Sequence, residues 1–282
     1  MAAAAASGAA ARAVWHGVRV NLGGRTALVT GASGGLGHAI ARALTRRGAH
    51  VVLTARRAEV LEALAAETGG RALACDLSDR SALERLVEEA GPVDVLVANA
   101  GIPGSGRIDS FTVEQIDRAL DINLRAPMVI ARLLCEGMAA RGSGQIVFVS
   151  SLNGKAGAVG TSVYAATKFG LRGFAQGLRE DMRPRGVGVS TVFPGFIRDA
   201  GMFAESGAKL PSYVGTKTPE DVGDAVVRAI ERDRSEIDVA PLSMRLGTAF
   251  ASLAPEVAAR VQRRLGASEL AAQFDAGQRN KR

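Results

Sequence analysis

The chain has 282 residues, of which 47% are apolar and 22% charged, and it can bury one sizeable core. No uninterrupted apolar run reaches about eighteen residues, which argues against a membrane-spanning helix. Only three histidines occur, all in the first fifth of the chain, without a G-x-S-x-G elbow or a His/Cys/Asp cluster, so neither a Ser-His-Asp hydrolase nor a metal site is expected.

The net charge of +7 lies entirely in the two ends of the chain. Residues 1–25 contain three arginines and no acid, and residues 241–282 contain seven basic and three acidic residues, which leaves the body neutral. A nucleic-acid-binding domain more often has a basic stripe on its folded face, so no nucleic-acid partner is expected. Basic ends are usually solvated, and adhesion to an anionic membrane surface is the alternative.

Strand-like and helix-like segments alternate along the chain. Strands are predicted near residues 26–30, 50–54, 71–74, 93–97, 145–149, 187–192 and 236–239. Helices are predicted near residues 36–47, 57–67, 79–90, 112–121, 124–140, 162–183 and 219–232. Such alternation predicts an α/β fold, a doubly wound parallel sheet of about seven strands flanked by helices in a Rossmann-type three-layer sandwich. This domain is expected to span residues 23–240, followed by a basic helical extension over 241–282.

The first 22 residues are an Ala-rich extension that we expect to be disordered. Its start lacks the apolar core and cleavage pattern of a secretory signal. The two cysteines, Cys75 and Cys135, fall inside strand and helix patterns without metal-like spacing. They are expected to be small buried hydrophobes in a reducing compartment, which predicts a cytoplasmic protein.

A glycine-rich turn follows the first predicted strand. Residues 26–30 are apolar and β-branched, and helical spacing of apolar residues begins near Leu36. Between them, Gly31, Ser33, Gly34, Gly35 and Gly37 would form a tight turn that lets a diphosphate approach backbone N–H groups at the helix N-terminus. The alternative is a glycine-rich βα turn that binds nothing.

The end of the second strand indicates which dinucleotide is preferred. An NAD site generally has a carboxylate there, which accepts from the adenosine ribose hydroxyls. Here the position is Ala55, and Arg56 follows, which could pair with a 2′-phosphate through a charge-assisted contact. NADP is therefore favoured over NAD, and Arg57 is expected to begin a solvated helix.

Tyr164 and Lys168 are spaced to share one helix face. At positions i and i+4, the phenol hydroxyl and the ammonium can point into one cleft, where the ammonium is expected to lower the pKa of the phenol toward the working range. Ser151 lies thirteen residues before Tyr164 and could hold a carbonyl or alcohol oxygen beside the phenol. The alternative is an ordinary exposed helix pair.

Residues 196–217 form a connection too long for an ordinary loop, which suggests a lid over a substrate. Its scattered apolar residues are Phe196, Ile197, Met202, Phe203, Leu210 and Tyr213. They favour a lipid-like, steroid-like or acyl carbonyl over a highly charged sugar, although they could equally be packing residues.

An apolar stripe runs along the C-terminal extension. It consists of Leu246, Phe250, Leu253, Val257, Val261 and Leu265, and Pro255 is expected to open a second helix. The favoured interpretation is that this stripe packs on the body or on a second subunit. The alternative is a weak peripheral membrane contact, in which neighbouring arginines meet anionic headgroups.

Five motifs at these spacings together resemble the short-chain dehydrogenase/reductase family over residues 24–240. The family's TGxxxGxG turn matches residues 30–37 (TGASGGLG), and its NNAG stretch matches residues 98–101 (ANAG), with Ala98 replacing the first Asn. Its active-site Asn matches Asn123, its catalytic Ser and YxxxK match Ser151 and Tyr164–Lys168, and its proline-glycine step matches Pro194-Gly195.

The resemblance implies an oxidoreductase that transfers a hydride between NADP(H) and an apolar carbonyl/alcohol substrate. Tyr164 would be the proton donor or acceptor, Ser151 would orient the substrate oxygen, Lys168 would also hold the nicotinamide ribose, and Asn123 would place Lys168 through an ordered water. Further cofactor contacts are expected from Leu36, Asp76, Leu77, Asn99, Ala100, Gly101, Pro194, Gly195 and Ile197. The family resemblance further implies a homodimer or homotetramer. The alternative is a catalytically idle dinucleotide-binding sensor or scaffold.

Overall fold

The computed structural model describes residues 20–211, 214–264 and 266–281. Seven parallel strands form one sheet in the order β3-β2-β1-β4-β5-β6-β7. The strands are β1 (Thr26–Thr30), β2 (His50–Ala55), β3 (Arg71–Ala74), β4 (Val95–Ala98), β5 (Gly144–Val149), β6 (Val187–Pro194) and β7 (Glu236–Val239). The predicted α/β class and doubly wound parallel sheet are confirmed. Most of the predicted N-terminal extension, residues 1–19, lies outside the described residues.

The strand order reverses direction between β1 and β4. Leu28 of β1 lies opposite Val52 on one side and Leu96 on the other, so β1 is hydrogen-bonded to both neighbours. All three side chains are buried apolar groups, as expected for a strand covered on both faces. A parallel sheet opens a crevice at such a reversal, at the carboxyl ends of its strands. This reversal therefore decides where a ligand can bind.

Helices cover both faces of the sheet. The α-helices in the described part of the chain are α1 (Gly35–Thr45), α2 (Ala58–Thr68), α3 (Ala82–Ala90), α4 (Val113–Leu120), α5 (Ala126–Ala140), α6 (Ser162–Met182), α7 (Gly201–Ser206), α8 (Pro219–Glu231), α9 (Leu242–Leu253), α10 (Pro255–Arg264) and α11 (Ala267–Gln278). One core joins the sheet to α1, α2 and α8, and the other joins it to α3, α5 and α6. The three-layer arrangement follows because these six helices bury their apolar faces against the sheet.

Helices α4 and α5 are continuous rather than separate. A π-helical turn, Asp121–Arg125, connects them without a break. One extra residue in such a turn reorients the side chains around it, and these turns frequently occur at functional sites. This turn contains Asn123 at its centre.

The C-terminal region contains three helices where the sequence predicted two. As predicted, Pro255 begins α10, but α11 was not anticipated. Ala251 and Ala258 are buried, whereas the outward side chains of α9 and α10 are exposed: Leu242, Leu246, Phe250, Leu253, Val257 and Val261. Packing of the stripe on the body is therefore wrong for Leu246, Phe250, Leu253, Val257 and Val261, because the small residues of both helices are the ones turned inward. Packing on a second subunit stays a prediction. Leu265 lies outside the described residues.

Candidate active site

A cleft of about 910 Å³ lies at the carboxyl ends of the strands, where the sheet reverses. Every residue predicted to contact a cofactor lines this cleft: Gly31, Ser33, Gly34, Gly35, Leu36, Gly37, Arg56, Asp76, Leu77, Asn99, Ala100, Gly101, Tyr164, Lys168, Pro194, Gly195 and Ile197. Ser151 lines it as well, whereas Asn123 lies buried behind it. The fold therefore brings sequence-distant motifs to one place.

The glycine turn is built from close backbone contacts. Gly31 has a φ of 65°, and a Cβ there would lie 2.7 Å from the Cα of Ala100. A Cβ on Gly37 would overlap the carbonyl oxygen of Gly31. At the N-terminus of α1, no side chain caps the helix and no acid lies in the first turn. This terminus combines N–H donors with the positive end of the helix dipole, so it fits the diphosphate of a dinucleotide.

Asn99 fastens the ends of β1 and β4 together. Its Nδ2 donates to the carbonyl oxygens of Thr30 at 3.1 Å and of Gly31 at 3.3 Å. In return, the Thr30 hydroxyl oxygen accepts from the backbone N–H groups of Asn99 and Ala100. Ala98, which departs from the family motif, is buried in the apolar core. The amide of Asn99 therefore stabilises the turn, and an alanine before it leaves this network intact.

Two arginines, rather than one, line the cleft where β2 ends. Arg56 is exposed and lines the wall. Arg57 precedes α2, as predicted, but its guanidinium also reaches across and donates to the carbonyl oxygen of Ser33 at 2.5 Å. The expectation that Arg57 only begins a solvated helix is therefore wrong, because this hydrogen bond fixes its charge against the glycine turn.

Asp76 lines the cleft two residues after β3. Its carboxylate accepts hydrogen bonds from the Ser78 N–H at 2.9 Å and hydroxyl at 2.8 Å. Burial alone would raise the pKa of Asp76, but these hydrogen bonds and the charges of Arg56 and Arg118 outweigh it, so the pKa is lowered. Since α3 begins only at Ala82, Asp76 is not a helix cap.

Ser151, Tyr164 and Lys168 meet on the floor of the cleft. Ser151 is the second residue after β5, and α6 presents the other two side chains. Lys168 is buried; its Nζ lies 5.6 Å from the centroid of the Tyr164 ring and donates to the carbonyl oxygen of Val149 at 3.1 Å. The neighbouring Ser150 also lines the cleft, and its hydroxyl donates to the carbonyl oxygen of Lys168 at 3.1 Å.

The protonation states of this group differ from the sequence-based expectation. Burial raises the pKa of Tyr164 to about 12, and a hydrogen bond with Ser151 offsets only part of that effect. Burial lowers the pKa of Lys168 to about 8. The expected lowering of the phenol pKa by the ammonium is therefore wrong for this structure, because desolvation of the phenol outweighs its hydrogen bond with Ser151. At neutral pH the phenol is protonated.

Asn123 uses its amide to hold the backbone of Ile102. Its Oδ1 accepts from the Ile102 N–H at 2.7 Å, and its Nδ2 donates to the Ile102 carbonyl oxygen at 2.9 Å. A Cβ built on Gly101 would lie 3.3 Å from that Oδ1 and 3.7 Å from the Nζ of Lys168. Asn123 is therefore a neighbour of the Lys168 ammonium, and a water bridge between them stays a prediction.

Apolar residues and C-terminal residues also line the cleft. Its apolar lining includes Ile102, Pro103, Ile122, Met202 and Phe203. The sequence did not identify the polar residues that also line the cleft: Arg118, Glu205, Gln278, Asn280 and Lys281. The helical pattern of α11 could have been read from the sequence, but nothing in it indicates which surface the helix reaches. Of the predicted lid, Tyr213 lies outside the described residues.

No helix in the described part of the chain has both the length and the apolar character to cross a bilayer. Within the same residues, no three His, Cys, Asp or Glu side chains are grouped as a metal site requires. A dinucleotide-sized cleft at the reversal of a parallel sheet, with a Ser-Tyr-Lys group on its floor, defines an oxidoreductase site of the dinucleotide-binding class.

Comparison with known proteins narrows that class. The family model described as short chain dehydrogenase matches residues 25–211, and the chain belongs to this family of oxidoreductases. A protein named ketoacyl reductase HetN, from Nostoc, is 40% identical over 228 residues, which cover 77% of this chain and 79% of that protein. The 3-oxoacyl-[acyl-carrier-protein] reductase FabG of Rickettsia conorii is 36% identical over 181 residues, covering 64% of this chain and 75% of the relative.

Solved structures similar to this chain belong to the same family. A short-chain dehydrogenase from Sphingobium yanoikuyae, solved in complex with NADPH, is 31% identical with a TM-score of 0.70. The match covers 81% of this chain and 94% of that one. The family match ends at residue 211, so α8 to α11 lie beyond it.

Proposed function

We propose that this protein is an NADP(H)-dependent oxidoreductase that interconverts an apolar carbonyl compound and its alcohol, with a 3-oxoacyl thioester as the first substrate to test. The observation that carries the proposal is the convergence of Ser151, Tyr164 and Lys168 on a cleft that also contains an uncapped helix N-terminus. The names of the Nostoc and Rickettsia relatives supply the 3-oxoacyl class, and the NADPH complex of the Sphingobium structure supports the cofactor.

The cofactor site is proposed from the lining residues. The N–H groups of residues 31–37 would hold the diphosphate, and Arg56 with Arg57 would hold the 2′-phosphate. The remaining predicted contacts would surround the two nucleosides: Asp76, Leu77, Asn99, Ala100, Gly101, Pro194, Gly195 and Ile197. When bound, NADPH supplies the hydride that reduces the carbonyl carbon.

The protein would supply the proton and orient the carbonyl oxygen of the substrate. Because the pKa of Tyr164 is raised to about 12, its phenol is protonated at neutral pH and can donate to the carbonyl oxygen. Ser151 would orient that oxygen by a hydrogen bond. Lys168 would hold the nicotinamide ribose, and when charged it stabilises the negative charge that remains on the phenol oxygen. In the oxidation direction the phenol must first lose its proton, so that reaction should accelerate as the pH rises.

The test is a turnover assay on the purified full-length protein. NADPH absorbance is followed with acetoacetyl-coenzyme A and with a panel of simple carbonyls, and NADPH binding is measured separately by fluorescence. We expect Tyr164→Phe to lower turnover by about 10²- to 10⁴-fold while leaving NADPH affinity nearly unchanged. Turnover at the wild-type rate in that variant would exclude Tyr164 as the proton donor.

The competing function is a catalytically idle sensor or scaffold that binds the dinucleotide. The Ser151–Tyr164 hydrogen bond argues against it, since a pure binding protein has no need for a proton donor beside the cleft. Tight NADPH binding without reduction of any carbonyl in the panel would favour the idle protein.

We further propose that the chain forms a homodimer or homotetramer that covers the outward face of α9 and α10. Leu253 at the end of α9 is 86% exposed, and Leu242 and Leu246 on the same helix are 64% and 63% exposed. A second copy would remove these apolar side chains from water. Sedimentation of the full chain should show the oligomer, and deletion of residues 243–282 should weaken it. A monomer that pellets with anionic vesicles at low salt would instead identify a weak peripheral membrane contact.

The proposed compartment is the cytoplasm. Both cysteines are free thiols, with Cys135 buried and Cys75 half-buried. Burial raises the pKa of each thiol, which makes both unreactive at neutral pH. Fractionation of the native cells, with and without a high-salt wash, would test the location.

A further inference from the structure

The end of the chain folds back onto the helix beside the cleft. Gln278, at the last position of α11, donates from Nε2 to the carbonyl oxygen of Met202 at 2.8 Å. The Oε1 of Gln273 accepts from the N–H of Lys209 at 2.9 Å. Residues 279–281 continue as a 3-10 turn. These contacts fasten residues 267–281, here called the C-terminal clasp, to α7 and the residues that follow it.

Ion-pair, backbone and aromatic contacts complete the attachment. The ammonium of Lys281 lies 2.6 Å from the Glu205 carboxylate. Gly277 has no room for a side chain, because a Cβ there would overlap the carbonyl oxygen of Ser206. The ring of Phe274 lies 6.0 Å from the rings of Phe196 and Phe203, centroid to centroid.

Helix α7 cannot hold its position by itself. It has only six residues, and a helix of one or two turns is unstable without tertiary packing. Its N-terminal end reaches the catalytic floor: the Cε of Met202 lies 3.5 Å, and the Nζ of Lys168 3.7 Å, from a Cβ built on Gly101. Whatever fixes α7 therefore sets the shape of the cleft next to Lys168.

The clasp also lines the cleft directly. Gln278, Asn280 and Lys281 form part of the same wall as Met202 and Phe203. Gln278 is only 2% exposed, and its Oε1 is one of the few buried side-chain oxygens without a hydrogen-bond partner in the described part of the chain. A buried acceptor of this kind is costly unless a donor reaches it, which is typical of a binding wall rather than of a solvated tail.

We propose that the C-terminal clasp is a specificity-determining part of the substrate site, and this inference rests on the function proposed above. By holding α7 down, it closes the substrate side of the cleft with apolar side chains near the reacting carbonyl and polar groups at the rim. The site would therefore select a carbonyl compound with an apolar body and a hydrogen-bonding polar end. The start of α7 also touches the glycine turn, because a Cβ built on Gly35 would overlap the Cβ of Ala200. A loosened clasp should therefore weaken NADPH binding as well, but less than it weakens substrate binding.

The sharpest test inserts one methyl group between the clasp and α7. Gly277→Ala would force α11 away from Ser206, whereas Gly247→Ala adds the same group to α9, where nothing lies within 4 Å. We expect Gly277→Ala to increase amide hydrogen exchange in residues 201–206 by more than about tenfold, and the control to leave it unchanged. Unchanged exchange in both variants would overturn the proposal, and this readout needs no substrate.

Kinetics test the specificity. With acetoacetyl-coenzyme A as the probe, Gly277→Ala should raise KM by about fivefold or more, with a smaller change in kcat and a loss of NADPH affinity smaller than the rise in KM. An unchanged KM would limit the clasp to a structural role and so contradict the proposal. If the wild type reduces no carbonyl at all, the proposed function fails instead, and the exchange experiment still decides whether the clasp holds α7.

A second pair of variants tests the clasp independently, in case Gly277→Ala misfolds. Lys281→Glu places two carboxylates where the ion pair was, and Glu205→Lys added to it restores the pair in the opposite orientation. We expect the single variant to raise both α7 exchange and KM and the double variant to restore them. Failure of the double variant to restore either readout would overturn the assignment of this ion pair to the clasp.

Discussion

The two ends of the cleft are built in different ways. The shape of the cofactor end is determined mainly by local backbone geometry, since Gly31, Gly37 and the uncapped N-terminus of α1 lie within a few residues of one another. At the substrate end, α7 is held by α11, which lies more than sixty residues later in the chain. A compact sequence motif can specify the first end. The second depends on side chains that only the folded chain brings together.

The largest expected effect is at the cofactor end. Gly37→Ala would place a Cβ against the Gly31 carbonyl oxygen and 2.6 Å from the Ala32 Cα. Overpacking of this kind costs about 1–3 kcal/mol, and here the movement must occur in the diphosphate turn, so NADPH affinity should fall by more than about tenfold. Fluorescence titration with NADPH measures it.

Gly173→Ala is the matched control, because nothing lies within 4 Å of a Cβ at that position on α6. Equal NADPH affinity in both variants would mean that the turn relaxes easily. The cofactor end would then not depend on the close backbone contacts at Gly37.

The next effect concerns the charge of Lys168, on the floor between the two ends. Its pKa is lowered to about 8 in the folded protein, so between about pH 8 and 10.5 the unfolded chain binds a proton that the folded chain does not. The stability of the wild type should therefore rise with pH through that window. Lys168→Met lacks this dependence, so its stability relative to wild type should be greatest below pH 8 and decline by up to about 3 kcal/mol toward pH 10.5.

Denaturant unfolding at several pH values measures that difference. Titration of Tyr164 is common to both proteins and largely cancels in the comparison. A stability difference independent of pH would show that Lys168 keeps its ordinary pKa.

The preference for NADP over NAD should depend on both Arg56 and Arg57, which line the cleft after β2. Removing Arg56 or Arg57 takes one charge-assisted contact from a 2′-phosphate, worth about 1.5–3 kcal/mol, or more than tenfold in NADP affinity, while NAD affinity changes little. Arg57→Ala should also weaken NAD slightly, because its hydrogen bond to Ser33 supports the glycine turn. Calorimetric titration of both cofactors checks this, and equal losses for both in Arg56→Ala would show that Arg56 is not at the phosphate.

The smallest expected effect lies outside the cleft. Leu253→Ser replaces a side chain that is 86% exposed, so the unfolding free energy of the single chain should change by less than about 0.5 kcal/mol. If the outward face of α9 is buried between subunits, the same variant should shift the oligomer toward monomers in sedimentation. A large loss of stability in a monomer would mean that Leu253 packs on its own chain.

The sequence by itself determined the fold class and most of the cofactor end. Periodicity and the glycine turn predicted seven parallel strands, and β1, β3 and β7 were predicted with the bounds that the structure shows. Their spacing also identified Ser151, Tyr164 and Lys168, because strand ends and the i, i+4 rule fix where such side chains point. These features depend on local backbone geometry, which a short stretch of sequence specifies.

Only the tertiary structure decided the rest. The direction of the Tyr164 pKa shift depends on how many atoms surround the phenol, and the second role of Arg57 depends on its distance from Ser33. The position of α11 over α7 depends on contacts such as Gln278 with Met202, between residues that no short pattern links. Burial and long-range contact are properties of the packed chain, since they arise from the sum of many weak interactions rather than from any one motif.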